Sequence, residues 1–435
     1  MGALAALALL CLSVRAQDAP APISLREAIS LAVDHNLTAK LARAEGQKAR
    51  GKTLESAVNL LPHLMGTLSD TYVDRLNLRA EGFTFALGGI PSLIGPFSIF
   101  DARVQLVQNL FDAEDWNLWR SAQAEERAAK SETALAEEQV AAAAALSYVE
   151  ALRARKAIES AQAGEDLAVE LMNLARDEKK AGAAAGIDVA RAETREAEER
   201  LRLLDARTAS TEADLRFKRL VGLALGRPVA FSDALVEAST GTLQEADAIT
   251  SALAGRWELK VASARLESEK NAVSAARTEH LPKIAAEGDI GLSGNYPDSS
   301  ARTTSQVGIA LSLPIFNGNH AAAKTKEAQG ERDQAAARLD DIQVQIEEDV
   351  RHSLDTLQDS AERAQTTDLA VSLAHRELTL ARDRFAAGVG DNVEVVDAQT
   401  VAARNEDEHT AALAGLNAAR INMALALGRM KDFGL

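Results

Sequence analysis

The sequence has few aromatic residues, and its 48 basic residues are outnumbered by 64 acidic ones. Aromatic side chains make up 4% of its 435 residues, although 47% are hydrophobic. Few aromatics beside abundant alanine, leucine, glutamate and arginine are typical of long helices that pack closely through small side chains. The formal net charge of −16 argues against nucleic acid as a partner, since such partners require a basic surface.

Cysteine is almost absent. The single residue, Cys11, lies within residues 1–16, MGALAALALLCLSVRA, an apolar run that ends at a small-residue site. This pattern predicts a secretory signal peptide cleaved after Ala16, and the alternative is a buried first helix. A mature chain without cysteine has neither disulfides nor thiolate metal sites.

Long apolar runs are also missing. After residue 16 no stretch has the length and composition of a membrane-spanning helix. A membrane-spanning part of this chain would therefore have to consist of strands.

Proline occurs nine times and is absent from residues 97–227 and 315–435. Because proline breaks helix interiors, such gaps permit uninterrupted helices. Apolar residues spaced by threes and fours, such as Leu339, Ile342 and Ile346, support this interpretation. We predict long helices at about 112–180, 187–222, 318–387 and 393–428.

Alternating apolar and polar residues follow Pro62 and Pro282. The alternation predicts strands at about 62–74, 101–111, 282–294 and 303–316, roughly the ten residues of a tilted strand that crosses a bilayer. The alternative is the sheet of a soluble domain. Four strands are too few to close in lipid, so several chains would share one barrel.

The chain is a tandem duplication, with halves at residues 17–230 and 231–435. Each half begins with a capping-box pattern, Ser24 to Glu27 and Thr242 to Glu245. Each pattern predicts one helix, ending near Leu61–Pro62 or Leu281–Pro282. Each half then runs strand, loop, strand, long helix, turn and long helix.

The two turns carry the clearest repeat. Residues 381–400, ARDRFAAGVGDNVEVVDAQT, match residues 175–194, ARDEKKAGAAAGIDVARAET, which places Gly182 and Gly388 206 residues apart (388 − 182). Glycine tolerates the left-handed backbone that ends a helix, so both segments predict sharp helix-to-helix turns. An acid follows each glycine by six residues, at Asp188 and Glu394, and Asp397 lies one turn further. A solvated helix start, favoured by the helix dipole, explains such acids equally well.

The duplicated plan, the opening ISLREAISLAVDHN and the turn sequences AGAAAGIDV and AGVGDNVEVVDAQ resemble the TolC-type outer-membrane efflux channels. The resemblance spans the chain from Ile23 to about Arg429. It implies a mainly α fold with a membrane β-barrel: a homotrimer with a 12-stranded barrel in the outer membrane and an α-helical tunnel in the periplasm. It also implies a passive exit duct in a tripartite efflux or type I secretion system, with a periplasmic adaptor and an inner-membrane transporter as partners.

The resemblance assigns roles to the residues of the turns. It implies that Gly182 and Gly388 are adaptor-docking tips. Asp188 matches an acid of the closed state, and Glu394 and Asp397 match two acids that form rings at the narrow end of the tunnel. Two departures occur at the second turn: Phe385 stands where the best-known member has a gate tyrosine, and Gly390 where it has an arginine.

The two alternatives to this interpretation are an enzyme and a soluble periplasmic adaptor. The seven histidines are scattered without metal-ligand spacing, and neither a nucleophile elbow nor a phosphate loop occurs, so we predict no enzyme, no cofactor and no metal site. A soluble periplasmic coiled-coil adaptor would also have long helices and glycine turns. An adaptor needs only one such hairpin, however, whereas this chain has two hairpins and four strands of bilayer length.

Overall fold

The computed structural model describes residues 22–77, 93–182, 184–236, 244–296, 301–387 and 389–433, so the predicted signal peptide lies outside the described residues. The order of elements confirms the mainly α plan in which each half supplies two long strands and a pair of long helices. The elements are α1 (Leu25–His35), α2 (Leu37–Val58), β1 (His63–Val73), β2 (Leu76–Asn77), β3 (Leu93–Ile94), β4 (Phe97–Phe111), α3 (Ala113–Ala181), α4 (Gly186–Val221), α5 (Glu245–Gly255), α6 (Trp257–Thr278), β5 (Lys283–Gly294), β6 (Arg302–Ser312), α7 (His320–Ala386), α8 (Asn392–Ala426) and a 3-10 turn (Met430–Asp432).

The four proline-free helices are the longest elements. Helices α3 and α7 have 69 and 67 residues, and α4 and α8 have 36 and 35. None of the helices in the described ranges combines the length and the apolar composition that crossing a membrane requires.

The first helix of each half is broken, so the prediction of one continuous helix before each strand was wrong. Helix α1 ends at Asn36, whose ψ of 140° is extended, and whose side chain donates to Leu220 O at 3.1 Å and accepts from Thr38 N at 2.8 Å. Helix α5 ends in the same way at Arg256, with ψ 134°. The side chain of Asn36 binds α4, and that of Arg256 pairs with Asp349 of α7 at 2.6 Å. The helical pattern of the sequence does not contain these contacts.

Only the first predicted helix start is confirmed. Ser24 Oγ accepts a hydrogen bond from Glu27 N at 3.3 Å, as an N-cap does. In the second half the helix starts at Glu245 with Gln244 as its N-cap, so the prediction of Thr242 as N-cap was wrong. Thr242 itself lies outside the described residues.

Two strand boundaries also differ from the prediction. Strand β4 begins at Phe97 rather than at residue 101, because residues 97–100 continue the pairing with β1 as far as the pair Val73 and Phe97. Strand β6 ends at Ser312 rather than at residue 316. Pro314 follows, and proline has no amide hydrogen to donate to a neighbouring strand.

The chain divides into two compact units. The helical unit comprises the residues up to Arg43, Glu132–Leu259 and the residues from Ile342 onward; the strand unit comprises Ala44–Ser131 and Lys260–Asp341. Both units draw on both halves of the duplication.

The strand unit contains a four-stranded antiparallel sheet in the order β1-β4-β5-β6. The central pair, β4 with β5, joins the two halves of the chain through partners such as Ala102 with Leu292. Strands β1 and β6 are the edges, and each has one neighbour in the described chain. The residues between β1 and β4 also form the small pair of β2 and β3, with Leu76 opposite Ile94.

The two faces of the sheet differ in polarity. Since side chains alternate along a strand, the register places one set of apolar residues on one face. Members of this set are largely exposed, with Val307 at 89% and Ile309 at 75%; the others include Leu64, Leu68, Tyr72, Val104, Leu106, Ile290, Leu292 and Leu311. The opposite face carries Arg103, which binds Asp101 at 2.7 Å and Asp289 at 2.6 Å. One face is thus apolar and exposed, and the other is polar.

The helical unit has its aromatic core where α3, α4 and the chain after α4 meet. Tyr148 and Phe217 are fully buried and pack edge to face with Phe231. The hydroxyl of Tyr148 donates to Ile23 O at 2.8 Å, and Asp233 accepts from Leu25 N at 2.7 Å. These bonds fix the start of α1 against α3 and the chain after α4.

A left-handed glycine ends the return helix of each half. Gly222 has φ +76° and Gly428 has φ +68°. A Cβ on Gly222 would lie 2.5 Å from the Cβ of His35, and one on Gly428 would lie 3.1 Å from the carbonyl carbon of Gly255. Both glycines therefore pack against the break that ends α1 or α5 in their own half.

We expect Gly222→Ala to destabilise the protein by roughly 2–4 kcal/mol, because alanine disfavours the left-handed backbone and its methyl group would overlap His35. Thermal unfolding measures the effect. Gly226→Ala is the matched control, since nothing lies within 4 Å of a Cβ there. Equal unfolding temperatures for the two variants would contradict the proposed contact.

Candidate functional site at the helical tips

The first turn lies between α3 and α4 in the helical unit. Gly182 follows α3 with φ +79°, and its amide donates to Lys179 O at 3.1 Å. The residue is exposed, and a Cβ on it would meet nothing within 4 Å. The chain needs glycine here for its backbone conformation, and the space around it is open to a partner.

Asp188 lies in the first turn of α4. Its Oδ2 accepts from the amide of Ala185 at 2.9 Å, and Arg191 lies 3.7 Å from its Oδ1. The side chain is 18% exposed. Burial first, and the charge of Asp188 second, raise the pKa of the nearby Glu178 carboxyl. Asp188 therefore caps the start of α4.

The second turn lies between α7 and α8. Gly388 lies outside the described residues. On one side of it the Ala387 amide donates to Asp383 O at 3.1 Å, and on the other the Val389 amide donates to Arg384 O at 3.0 Å. Asp391 is the N-cap of α8, accepting from Val393 N at 3.1 Å.

The two departures at the second turn are structural neighbours. Phe385 is 7% exposed and packs in an apolar cluster with Leu171, Val395 and Ala398. A Cβ on Gly390 would lie 3.1 Å from the Phe385 amide nitrogen and 3.1 Å from Arg384 Cβ. A phenyl ring thus fills the inside of this turn, and the close approach of Gly390 leaves little room for a larger residue.

Glu394 and Asp397 are brought together on the exposed face at the start of α8. They line an open cleft of ≈ 540 Å³ whose other residues are Leu373, Arg376, Glu377, Leu380, Ala381, Arg384 and Ala398. Glu394 Oε2 lies 3.4 Å from Arg384 Nε, and both side chains are about half exposed. The cleft carries three carboxylates and two guanidinium groups, so its net charge is negative.

Sequence reasoning missed the arginines of this region. Arg384 crosses the turn to Glu394, and Arg382 binds Glu170 of α3 at 2.9 Å. Both arginines lie in the repeated turn segment, and only tertiary packing identifies their partners. In the described part of the chain, no group of three or more His, Cys, Asp or Glu side chains is arranged to hold a metal ion.

The architecture of this chain is a duplication that supplies one four-stranded sheet and two long helical hairpins. Two solved structures with this architecture are the CmeC outer membrane channel of Campylobacter jejuni (TM-score 0.81, 16% identity, 94% of this chain and 86% of that one) and the outer membrane protein VceC of Vibrio cholerae (TM-score 0.77, 18% identity, 93% and 96%). At these identities the likeness establishes the fold.

Sequence similarity points the same way. The outer membrane efflux protein family matches residues 248–429. The chain is 22% identical over 312 residues to outer membrane protein TolC of Vibrio cholerae, covering 69% of this chain and 70% of that protein. It is 32% identical over 161 residues to OprJ and 27% identical over 139 residues to the alkaline protease secretion protein AprF, both of Pseudomonas aeruginosa. These two alignments cover 35% and 31% of this chain, and 32% and 28% of the relatives' lengths. Residues 248–429 of this chain thus resemble the outer membrane efflux protein family.

We expect Asp188→Ala to loosen the first turn of α4, because it removes the carboxylate that accepts from the Ala185 amide. The loss of such a capping contact costs about 1 kcal/mol, so amide hydrogen exchange in residues 186–190 should become about fivefold faster. Asp177→Ala is the control, since that exposed acid pairs with Lys180 one turn away. Equal exchange in both variants would exclude the capping role.

Proposed function

We propose that this chain is the outer-membrane channel of a tripartite efflux or type I secretion system. Three copies form a passive exit duct, which an adaptor and an inner-membrane transporter open at the helical tips. The observation that carries this proposal is the sheet of the strand unit, which exposes an apolar face and has two open edges.

An exposed apolar face has a simple explanation in a bilayer. Side chains such as Val307 and Ile309 would be costly in water over so large a patch, whereas lipid covers them at no cost. The opposite face suits a water-filled lumen, because Arg103 and its partners Asp101 and Asp289 require hydration or pairing. Alternation of apolar and polar residues is the pattern of transmembrane barrel strands.

The open edges favour assembly. Each unpaired backbone group in lipid costs several kcal/mol, so β1 and β6 need strands from other copies. Four strands per chain give 12 in a trimer, the number that the resemblance to TolC-type channels implies. The chain then lies in the outer membrane, with its helices in the periplasm.

A soluble periplasmic adaptor is the other function that the sequence allowed. The comparisons with known proteins give it no support, since the relatives and structures described above are outer membrane or secretion proteins. The exposed apolar face of the sheet also argues against a protein that is free in the periplasm.

We expect the purified protein to crosslink as a trimer in mild detergent and to form cation-preferring channels in planar bilayers.

Glu394→Ala combined with Asp397→Ala should bring the cation-to-anion permeability ratio close to one and weaken block by multivalent cations from the tip side. The physical reason is that a threefold ring of carboxylates around a narrow aqueous path concentrates cations.

The structure supplies two further variants for this recording. Arg384→Ala removes the positive partner of Glu394 and should increase cation preference. Glu408→Ala is the control, because this exposed acid of α8 pairs with Arg404 away from the tip. Monomers or dimers after crosslinking would refute the shared barrel, and unchanged selectivity in the double variant would place the two acids outside the pore.

The docking role of the tips is tested separately. Gly182→Trp should abolish export while trimers remain in the outer membrane. Export is measured as restored resistance when the variant is expressed in a deletion strain, and this variant should fail to restore it. A Cβ at this position meets nothing within 4 Å in the described chain, so the bulk of tryptophan would obstruct a partner, in addition to straining the left-handed backbone at φ +79°.

Gly182→Asn is the matched control, since asparagine tolerates the left-handed conformation and adds little volume. Export that is retained with asparagine and lost with tryptophan is the expected result. Normal export by the tryptophan variant would contradict docking at this tip. Loss of the trimer in both variants would show that glycine serves only the turn. Gly388→Trp should have the same effect as Gly182→Trp at the second tip.

A further inference from the structure

A polar cluster lies inside the helical unit, where all four long helices meet. It consists of Ser160 from α3, Arg195, Glu199 and Arg202 from α4, His375 from α7, and Gln399, Glu406 and Asp407 from α8. Most of the surrounding residues are alanine or leucine. None of these polar residues belongs to the tip region described above.

Most members of the cluster bind one another directly. Ser160 Oγ donates to Glu406 Oε2 at 2.7 Å, and His375 Nε2 lies 2.8 Å from Glu406 Oε1. Arg202 donates to Asp407 Oδ1 at 2.6 Å, to Ser160 Oγ at 3.3 Å and to Glu199 Oε2 at 3.2 Å. The network therefore links the first helical hairpin to the second.

Gln399 is the exception. Its side chain is 3% exposed, and neither its amide oxygen nor its amide nitrogen has a hydrogen-bond partner among the described residues. The Nε of Arg195, next to Glu199, is also buried and unpaired. An amide buried without partners is costly, because it loses its hydrogen bonds to water and gains none in return.

Gln399 lines a cavity of ≈ 120 Å³ together with Glu199, Arg202, His375 and Glu406. Gly164 also lines it, and a Cβ there would come within 2.8 Å of Glu199 Oε2, so glycine makes room for the buried carboxylate. His375 is half exposed, which places one wall of the cavity at the protein surface. A volume of this size corresponds to about four water molecules at liquid density.

We propose that this cavity is a binding site for ordered water, which bridges the Gln399 amide to the charged network of the four helices. Water is the ligand that fits, because it donates to the amide oxygen and accepts from the amide nitrogen. Glu199, Arg202 and Glu406 in the wall offer water further polar partners, and the acidic and histidine side chains here do not form a metal-binding group. Buried waters of this kind make about three hydrogen bonds each.

Water then forms part of the contact between the two helical hairpins. Direct ion pairs such as Arg202 with Asp407 hold one side of the cluster, and bridging water completes the side at Gln399. This inference concerns only the described chain and does not depend on the channel function.

The test is a high-resolution crystal structure of the full-length protein. We expect spherical density within about 2.7–3.2 Å of both Gln399 Oε1 and Nε2. In Gln399→Met this density should disappear, whereas in the control Gln358→Met, which changes an exposed glutamine of α7, it should remain. A cavity without density, a bulky additive in place of water, or a direct protein partner for the Gln399 amide would each overturn the proposal.

Thermal unfolding of the same variants gives an independent readout. If water bridges Gln399, the methionine variant loses the bridge and should unfold several degrees below both the wild type and Gln358→Met. If the amide is dry, methionine removes two unsatisfied groups and the unfolding temperature should rise. An unchanged or higher temperature would therefore contradict bound water at this site.

Discussion

The long helices of this chain pack against each other mainly through alanine, and the alignment of the helices therefore depends on other contacts. Buried alanines occur along α3, α7 and α8, from Ala124 to Ala175 and from Ala328 to Ala419. Small side chains let helix axes approach closely, but each contact buries little apolar area, and alanine surfaces specify register weakly. Specific contacts at helix ends and a few buried polar groups must therefore determine how the helices align.

Three kinds of contact supply that alignment. Left-handed glycines place the end of each return helix against the break that follows α1 or α5, as Gly222 does against His35. Tyr148, Phe217 and Phe231 form one aromatic cluster, and the Tyr148 hydroxyl also fixes the chain start near Ile23. The polar network around Glu199 and Gln399 links the two hairpins nearer to their tips. Each contact fixes one point along the helices, and together they determine how the helices align.

Much of the fold could be predicted from the sequence, because proline and alternation mark the boundaries of elements directly. The absence of proline from residues 97–227 predicted α3 and α4, and the alternation after Pro282 predicted β5 and β6. The break at Asn36 could not be predicted in this way, since the apolar spacing continues through it and its partner Leu220 O is distant in sequence. Buried polar residues such as Glu199 raise the same difficulty, because charged residues in a helical pattern are usually exposed.

The candidate site was predictable to a smaller extent. Repetition alone identified the turns and their acids, whereas the charges around the acids depend on tertiary contacts. Asp188 accepts a hydrogen bond from the Ala185 amide at the start of α4, and its side chain is 18% exposed. Glu394 is about half exposed and shares a cleft with Arg384. The two halves of the duplication have therefore diverged at their tips. The repeated position in the first half caps its helix, whereas the one in the second half leaves a carboxylate accessible to solvent.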